Sequence, residues 1–147
     1  MKNLLFAVVL SLLGSGCSVG QPEIKYGADE CAHCRMNVMD AKFAAAVQTV
    51  KGRSYVFDAP ECMVPFVGPK GHLVEQEVKG WYVADFAHPG TLIDATKALY
   101  LHAPSLKSPM RGNVAAFSNE ADRKEAMQHF PGTAMDWPAV KKLFTDE

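Results

Sequence analysis

The chain has no concentration of basic charge. Its 15 Lys and Arg stand against 16 Asp and Glu, for a formal net charge of −1, and they are scattered along the sequence. A nucleic-acid surface needs Lys and Arg gathered together to meet phosphates, so that class of partner is excluded. Hydrolase signatures are missing as well: there is no Gly-x-Ser-x-Gly, no His-Glu-x-x-His and no glycine-rich phosphate loop. No low-complexity segment interrupts a globular composition. Cysteine is scarce, at four residues in 147. The one CxxC, Cys31–Cys34, lacks the second pair that normally completes a four-ligand structural zinc site. Long apolar runs are lacking too. Leu4 to Leu13 is broken only by Ser11, but its ten residues are too few to span a bilayer as a helix.

What that run does fit is export. Lys2 supplies a short positive start, and Gly14-Ser-Gly-Cys17 supplies small residues ending in a cysteine, as in a removable secretory signal. The small-small-Cys ending resembles a bacterial lipobox, whose cysteine is lipidated and becomes the new N-terminus. It departs in having Gly14 where Leu is usual, with Leu13 one place further out. Residues 1–16 are therefore expected to be a lipoprotein-type signal, Cys17 the lipidation site and residues 17–25 a tether. Ser18, not Asp, follows the cysteine, which favours the periplasmic side of the outer membrane. Removal of residues 1–16 leaves 131 of the 147 residues, one domain by size. Of the four cysteines, Cys31, Cys34 and Cys62 then keep ordinary thiols. Three is odd, and a free thiol in an oxidising compartment raises the prospect of a bound ligand.

Two similar units follow the tether. Phe43–Val50 and Ser54–Phe57 are strand-like and are joined by the turn Lys51-Gly52. Asp58 is placed to cap a short helix, with Pro60 in its first turn and Glu61 closing a capping box. Trp81–Phe86 returns as a strand. In the second unit, Ala98–His102 and Asn113–Phe117 are strand-like. Ser118 opens a helix that Pro131-Gly132 ends. A strand over Thr133–Met135 and a last helix from Pro138 complete the chain. The junction Val56-Phe57-Asp58 recurs as Ala116-Phe117-Ser118, 60 positions later. The expected class is α+β, with two small ββαβ units, about 26–90 and 91–147, forming one compact domain over 26–147.

The residues able to carry chemistry gather in Cys31-Ala-His-Cys-Arg-Met36. A redox CxxC is activated at a helix N-terminus, yet Arg35-Met-Asn-Val-Met-Asp40 is not a run of strong helix formers. Thiol–disulfide exchange through Cys31 and Cys34 stays as an alternative, as does zinc held by those two with Cys62 and a distant histidine. Copper(I) fits better because it prefers thiolate and thioether and accepts few ligands. If this segment is extended, Cys34 and Met36 leave the same face while Cys31 leaves the other. That makes Cys-x-Met the natural pair. Met110, in the polar, Pro- and Gly-flanked loop Ser108-Pro-Met-Arg-Gly112, is the expected third ligand. Cys62 reads as a small buried hydrophobe on the first helix. Met63 lies on the same helix, and Met127 and Met135, with the strand aromatics, read as core.

These pieces occur in one order: a lipobox-like start, "CAHCRMNV", "YVFDAPECM", "WYVADFAHPGTLIDATKALYL" and "SPMRGNVAAFSNEADRKEA". Together they resemble the NosL family, the nitrous oxide reductase accessory lipoproteins, over nearly the whole mature chain. The resemblance implies a pair of ββαβ units and a periplasmic copper(I) chaperone that is not an enzyme. It implies the NosDFY maturation machinery and nitrous oxide reductase as partners. Cys34, Met36 and Met110 match family motif positions as copper ligands. Cys31 also matches, as an auxiliary, since some members lack it. Arg35 and Arg111 stand where the family commonly has glycine.

Overall fold

The computed structural model describes residues 20–145. The expected signal and the lipidation residue Cys17 lie outside the described residues. Of the expected tether, residues 20–25 lie against the domain. Pro22 is buried, Ile24 packs on the core, and Gln48 donates from Nε2 to the Gly20 carbonyl at 2.9 Å.

Two antiparallel sheets follow. The first is built from β1 (Ala45–Thr49), β2 (Ser54–Phe57), β3 (Val78–Ala84) and β4 (Leu92–Asp94), in the order β2-β1-β3-β4. The second is built from β5 (Leu99–His102), β6 (Val114–Phe117) and β7 (Thr133–Met135), in the order β6-β5-β7. Helix α1 (Pro60–Phe66) leads from β2 towards β3, and α2 (Glu120–His129) lies between β6 and β7. Each unit is thus ββαβ, with its first strand in the middle. The repeated junction has a common geometry: Phe57 pairs with Ala45 and Phe117 with Leu99, and both rings are fully buried. Helix α3 (Trp137–Thr145) is an addition to the second unit.

Alternation along the second sheet explains how one domain holds two cores. Tyr100, Val114 and Ala116 face the larger core with the first sheet, α1 and α3. Leu101, Ala115 and Phe117 face a smaller one with Ala126 of α2, Phe43 and Phe86. The spacing Trp137, Val140, Phe144 gives α3 a buried stripe, and Trp137 meets Trp81 and Tyr100 with ring centroids 5.3 and 6.1 Å apart. The sheets join where the Phe86 N–H donates to the Ala116 carbonyl at 2.8 Å.

Two helix starts differ from expectation. Helix α1 begins at Pro60 after Ala59, with no side-chain cap. Asp58 is instead buried, with one carboxylate oxygen unpartnered, and Glu61 turns away to bind a distant loop. The Asp–x–x–Glu spacing fits a capping box, but tertiary contacts claim both carboxylates. In α2 the cap is Asn119, not Ser118: its side chain accepts from the Asp122 N–H at 2.9 Å. The three-residue strand β4 has too little pattern to show in sequence. It is held by pairing with β3.

Candidate metal centre

The segment before β1 closes on itself. Glu30 bridges to Asn37 in antiparallel register, and the Cys31 N–H donates to the Met36 carbonyl at 2.8 Å. Within this tip, the Arg35 N–H donates to the Cys31 carbonyl at 3.0 Å. Arg35 takes a left-handed φ of 68°. The tip is therefore a tight turn rather than an extended strand, which corrects the basis on which Cys34 and Met36 were paired. A turn puts residues three apart on one side. The Cys34 N–H reaches the Cys31 Sγ at 3.5 Å.

Cys62 completes the group. It projects from α1, 28 residues after Cys34, and the Sγ atoms of Cys31, Cys34 and Cys62 all lie within 4.8 Å of one another. None is in a disulfide. This is the one cluster of three or more Cys, His, Asp or Glu ligand atoms found together among the described residues. Cys31 and Cys62 are sealed in the core, while Cys34 is half-exposed. Cys62 is buried as expected, and it is also part of the site, which its spacing had not revealed. A CxxC with one further thiol 28 places on has no motif; the nearest sequence signal was the odd thiol count.

Electrostatics favour one negative sulfur in the cluster. The Cys62 thiol donates to Cys31 and, against the burial that opposes it, holds the Cys31 thiol down to about 4, helped by the backbone N–H groups of Cys34, Asp58 and His33. Cys62, as the donor beside that anion and buried, is pushed far up. Burial also raises Cys34. Asp58 is raised by burial first, with Cys31 and Asp40 adding to the effect. Three sulfurs, one of them anionic before any metal arrives, form a donor set suited to a soft monovalent cation such as copper(I).

The thioethers stand outside this group. Met36 is 48% and Met110 40% exposed, which is uncommon for methionine. Met110 rides on a loop anchored to Glu61, the residue before Cys62. The Ser108 hydroxyl donates to Glu61 Oε1 at 2.6 Å, and the Gly112 N–H donates to the same oxygen at 3.0 Å. Met39, which sequence reasoning left unassigned, is 67% exposed. His33 is exposed, as expected.

A family model described as NosL matches residues 24–144. A copper-binding lipoprotein NosL from Stutzerimonas stutzeri is 26% identical over 159 residues, covering 97% of this chain and 82% of that protein. The crystal structure of the copper chaperone NosL from Shewanella denitrificans shares the fold. It has a TM-score of 0.67 at 17% identity, over 80% of this chain and 93% of that one.

Proposed function

The chain belongs to the NosL family, and from that membership we propose that it carries copper(I) as cargo, bound by Cys31, Cys34 and Cys62 with the thioethers of Met36 and Met110. The observation that carries the reading is the convergence of three thiols from two separate segments within 4.8 Å, one of them reachable from solvent. Buried Cys31 and Cys62 supply affinity. Half-exposed Cys34 and the exposed methionines offer a route for exchange, because a partner's thiolate or imidazole can add to the metal before a weaker thioether leaves. The protein acts as a carrier rather than an enzyme. It is anchored through Cys17 at the periplasmic side of the cell envelope, at the outer membrane, and it hands copper to the NosDFY machinery for nitrous oxide reductase. The relative's description as a copper-binding lipoprotein supports the anchor and the metal.

Burial argues against the oxidoreductase alternative. An attacking thiolate must reach a substrate disulfide, and Cys31, the thiol held anionic, is fully enclosed. The reading is tested by copper(I) affinity in competition with a coloured chelator, using Cys34→Ser, Cys62→Ser, Met36→Leu and Met110→Leu. Weakened binding is expected, and unchanged binding in all four sinks the proposal. Tight zinc binding that needs Cys31, Cys34 and Cys62 favours a structural metal instead, and catalysed insulin reduction favours the redox reading.

A further inference from the structure

The loop bearing Met110 is held in an unfavourable shape. Lys107, Arg111 and Asn113 have φ of 53, 63 and 54°, the left-handed region that is unfavourable for a residue bearing a Cβ. With Arg35, these are all the non-glycine residues of positive φ among those described, so every one lies in a segment carrying a candidate copper ligand. Such a conformation persists only where its surroundings over-determine it.

Glu61 supplies that constraint from 47 and 51 residues away. Its Oε1 accepts from both ends of the Met110 segment, the Ser108 hydroxyl and the Gly112 N–H. The Ser108 oxygen in turn accepts from the Asn113 N–H at 2.8 Å, and Asn113 Oδ1 accepts from the Ser108 N–H at 3.1 Å. The approach leaves no room for a side chain at 112, where a Cβ would lie 2.7 Å from Glu61 Cδ and 2.9 Å from Phe144 Cε1. Gly112 is required by contact rather than by φ. Because Glu61 immediately precedes Cys62 on α1, one side chain links the helix carrying a thiol to the loop carrying a thioether.

We propose that Glu61 is the positioning residue that presents Met110 to copper(I), clamping the loop by both ends to the first turn of α1. This rests on the copper reading above. A carboxylate here is not needed to build the helix: it caps nothing, and its second oxygen is buried without a partner. Its bonds go to the loop.

The test follows the Met110 methyl resonance in protein labelled at the methionine methyls, titrated with copper(I), alongside chelator competition. In the wild type, copper is expected to move the Met110 resonance, and Met110→Leu to weaken binding by about tenfold or more. Glu61→Ala is expected to abolish the copper-induced shift of Met110 and to weaken binding by the same factor. The double variant should lose no more, as for two residues acting through one ligand. Glu61→Gln keeps an oxygen that accepts both bonds and is expected to restore the shift, which a general loss of stability would not do. Should Glu61→Ala fail to fold, Gly112→Ala displaces the clamp with the carboxylate retained and is expected to lose the shift as well. A Met110 shift that survives Glu61→Ala or Gly112→Ala, with penalties that multiply in the double variant, overturns the role of Glu61 alone. A wild-type Met110 that ignores copper removes Met110 from the site, and with it both this role and that part of the copper reading.

Discussion

Replacing Arg35 by glycine should stabilise the protein relative to replacing it by alanine, the reverse of the usual order. Arg35 sits at the tip of the Cys31–Met36 turn with φ of 68°. A Cβ there costs about 1–2 kcal/mol, whereas glycine ordinarily costs about 0.5–1 kcal/mol against alanine through backbone entropy. Both substitutions remove the same ion pair, Arg35 Nε to Glu30 Oε1 at 3.2 Å, with side chains 74% and 52% exposed. Such a pair is worth about 0–1 kcal/mol and cancels in the comparison. What remains is an advantage of roughly 0.5–1 kcal/mol for glycine, or about 2–4 °C in the thermal midpoint of a domain this size. The assay is thermal or urea unfolding of the metal-free protein, with Lys124 in the middle of α2 as control. There the order should be the ordinary one, with Lys124→Gly less stable than Lys124→Ala by about 1 kcal/mol. If Arg35→Ala proves as stable as Arg35→Gly while the control behaves, the left-handed turn is refuted. A left-handed backbone also explains the glycine that the family resemblance places at this position and at Arg111, whose φ is 63°.

Three further outcomes are expected. Cys62→Ala should lower copper(I) affinity by about tenfold or more, comparably to Cys31→Ala; chelator competition checks this, and a silent Cys62→Ala returns the residue to core packing alone. Tyr100→Phe should cost about 1–2 kcal/mol in urea unfolding, because its fully buried hydroxyl donates to the Ala95 carbonyl at 2.7 Å and that carbonyl would be stranded. Asp85 links stability to pH. Burial alone would raise it, but the Ser118 hydroxyl, His88 and the Ala87 N–H lower its carboxyl overall. With the folded value below the unfolded one of about 3.9, its contribution is complete above that value and is lost as pH falls through the folded value. Urea midpoints between pH 6 and 3 should fall less steeply in Asp85→Asn, and an unchanged slope counts against the assignment.

Much of the architecture was legible along the chain because its signals are local. Strand-like runs bounded by turn residues marked β2 to the residue, placed β7 nearby, and found β1, β3, β5 and β6 to within a few. Pro131-Gly132 marked the end of α2. The repeated Phe57 and Phe117 junctions disclosed a duplicated topology, since the same strand-to-helix turn solves the same packing problem twice. Local chemistry failed where a distant group competed for a side chain. Asp58 and Glu61 have the spacing of a capping box, yet burial takes one, and the loop 47 residues away takes the other.

The sequence by itself determined which soft ligands the domain offers: the CxxC of Cys31 and Cys34, Cys62, a loop methionine and a methionine two places from a cysteine. It also determined the family and the order of every strand and helix but β4. Only the tertiary structure decided which ligands meet. The turn over residues 31–34 puts Cys31 and Cys34 on one side, and left-handed Arg35 closes it. The packing of α1 under the first sheet brings Cys62 to them, and Glu61 ties the Met110 loop to that same helix. These choices depend on dihedral angles and on contacts between segments tens of residues apart. Periodicity and spacing carry no record of either.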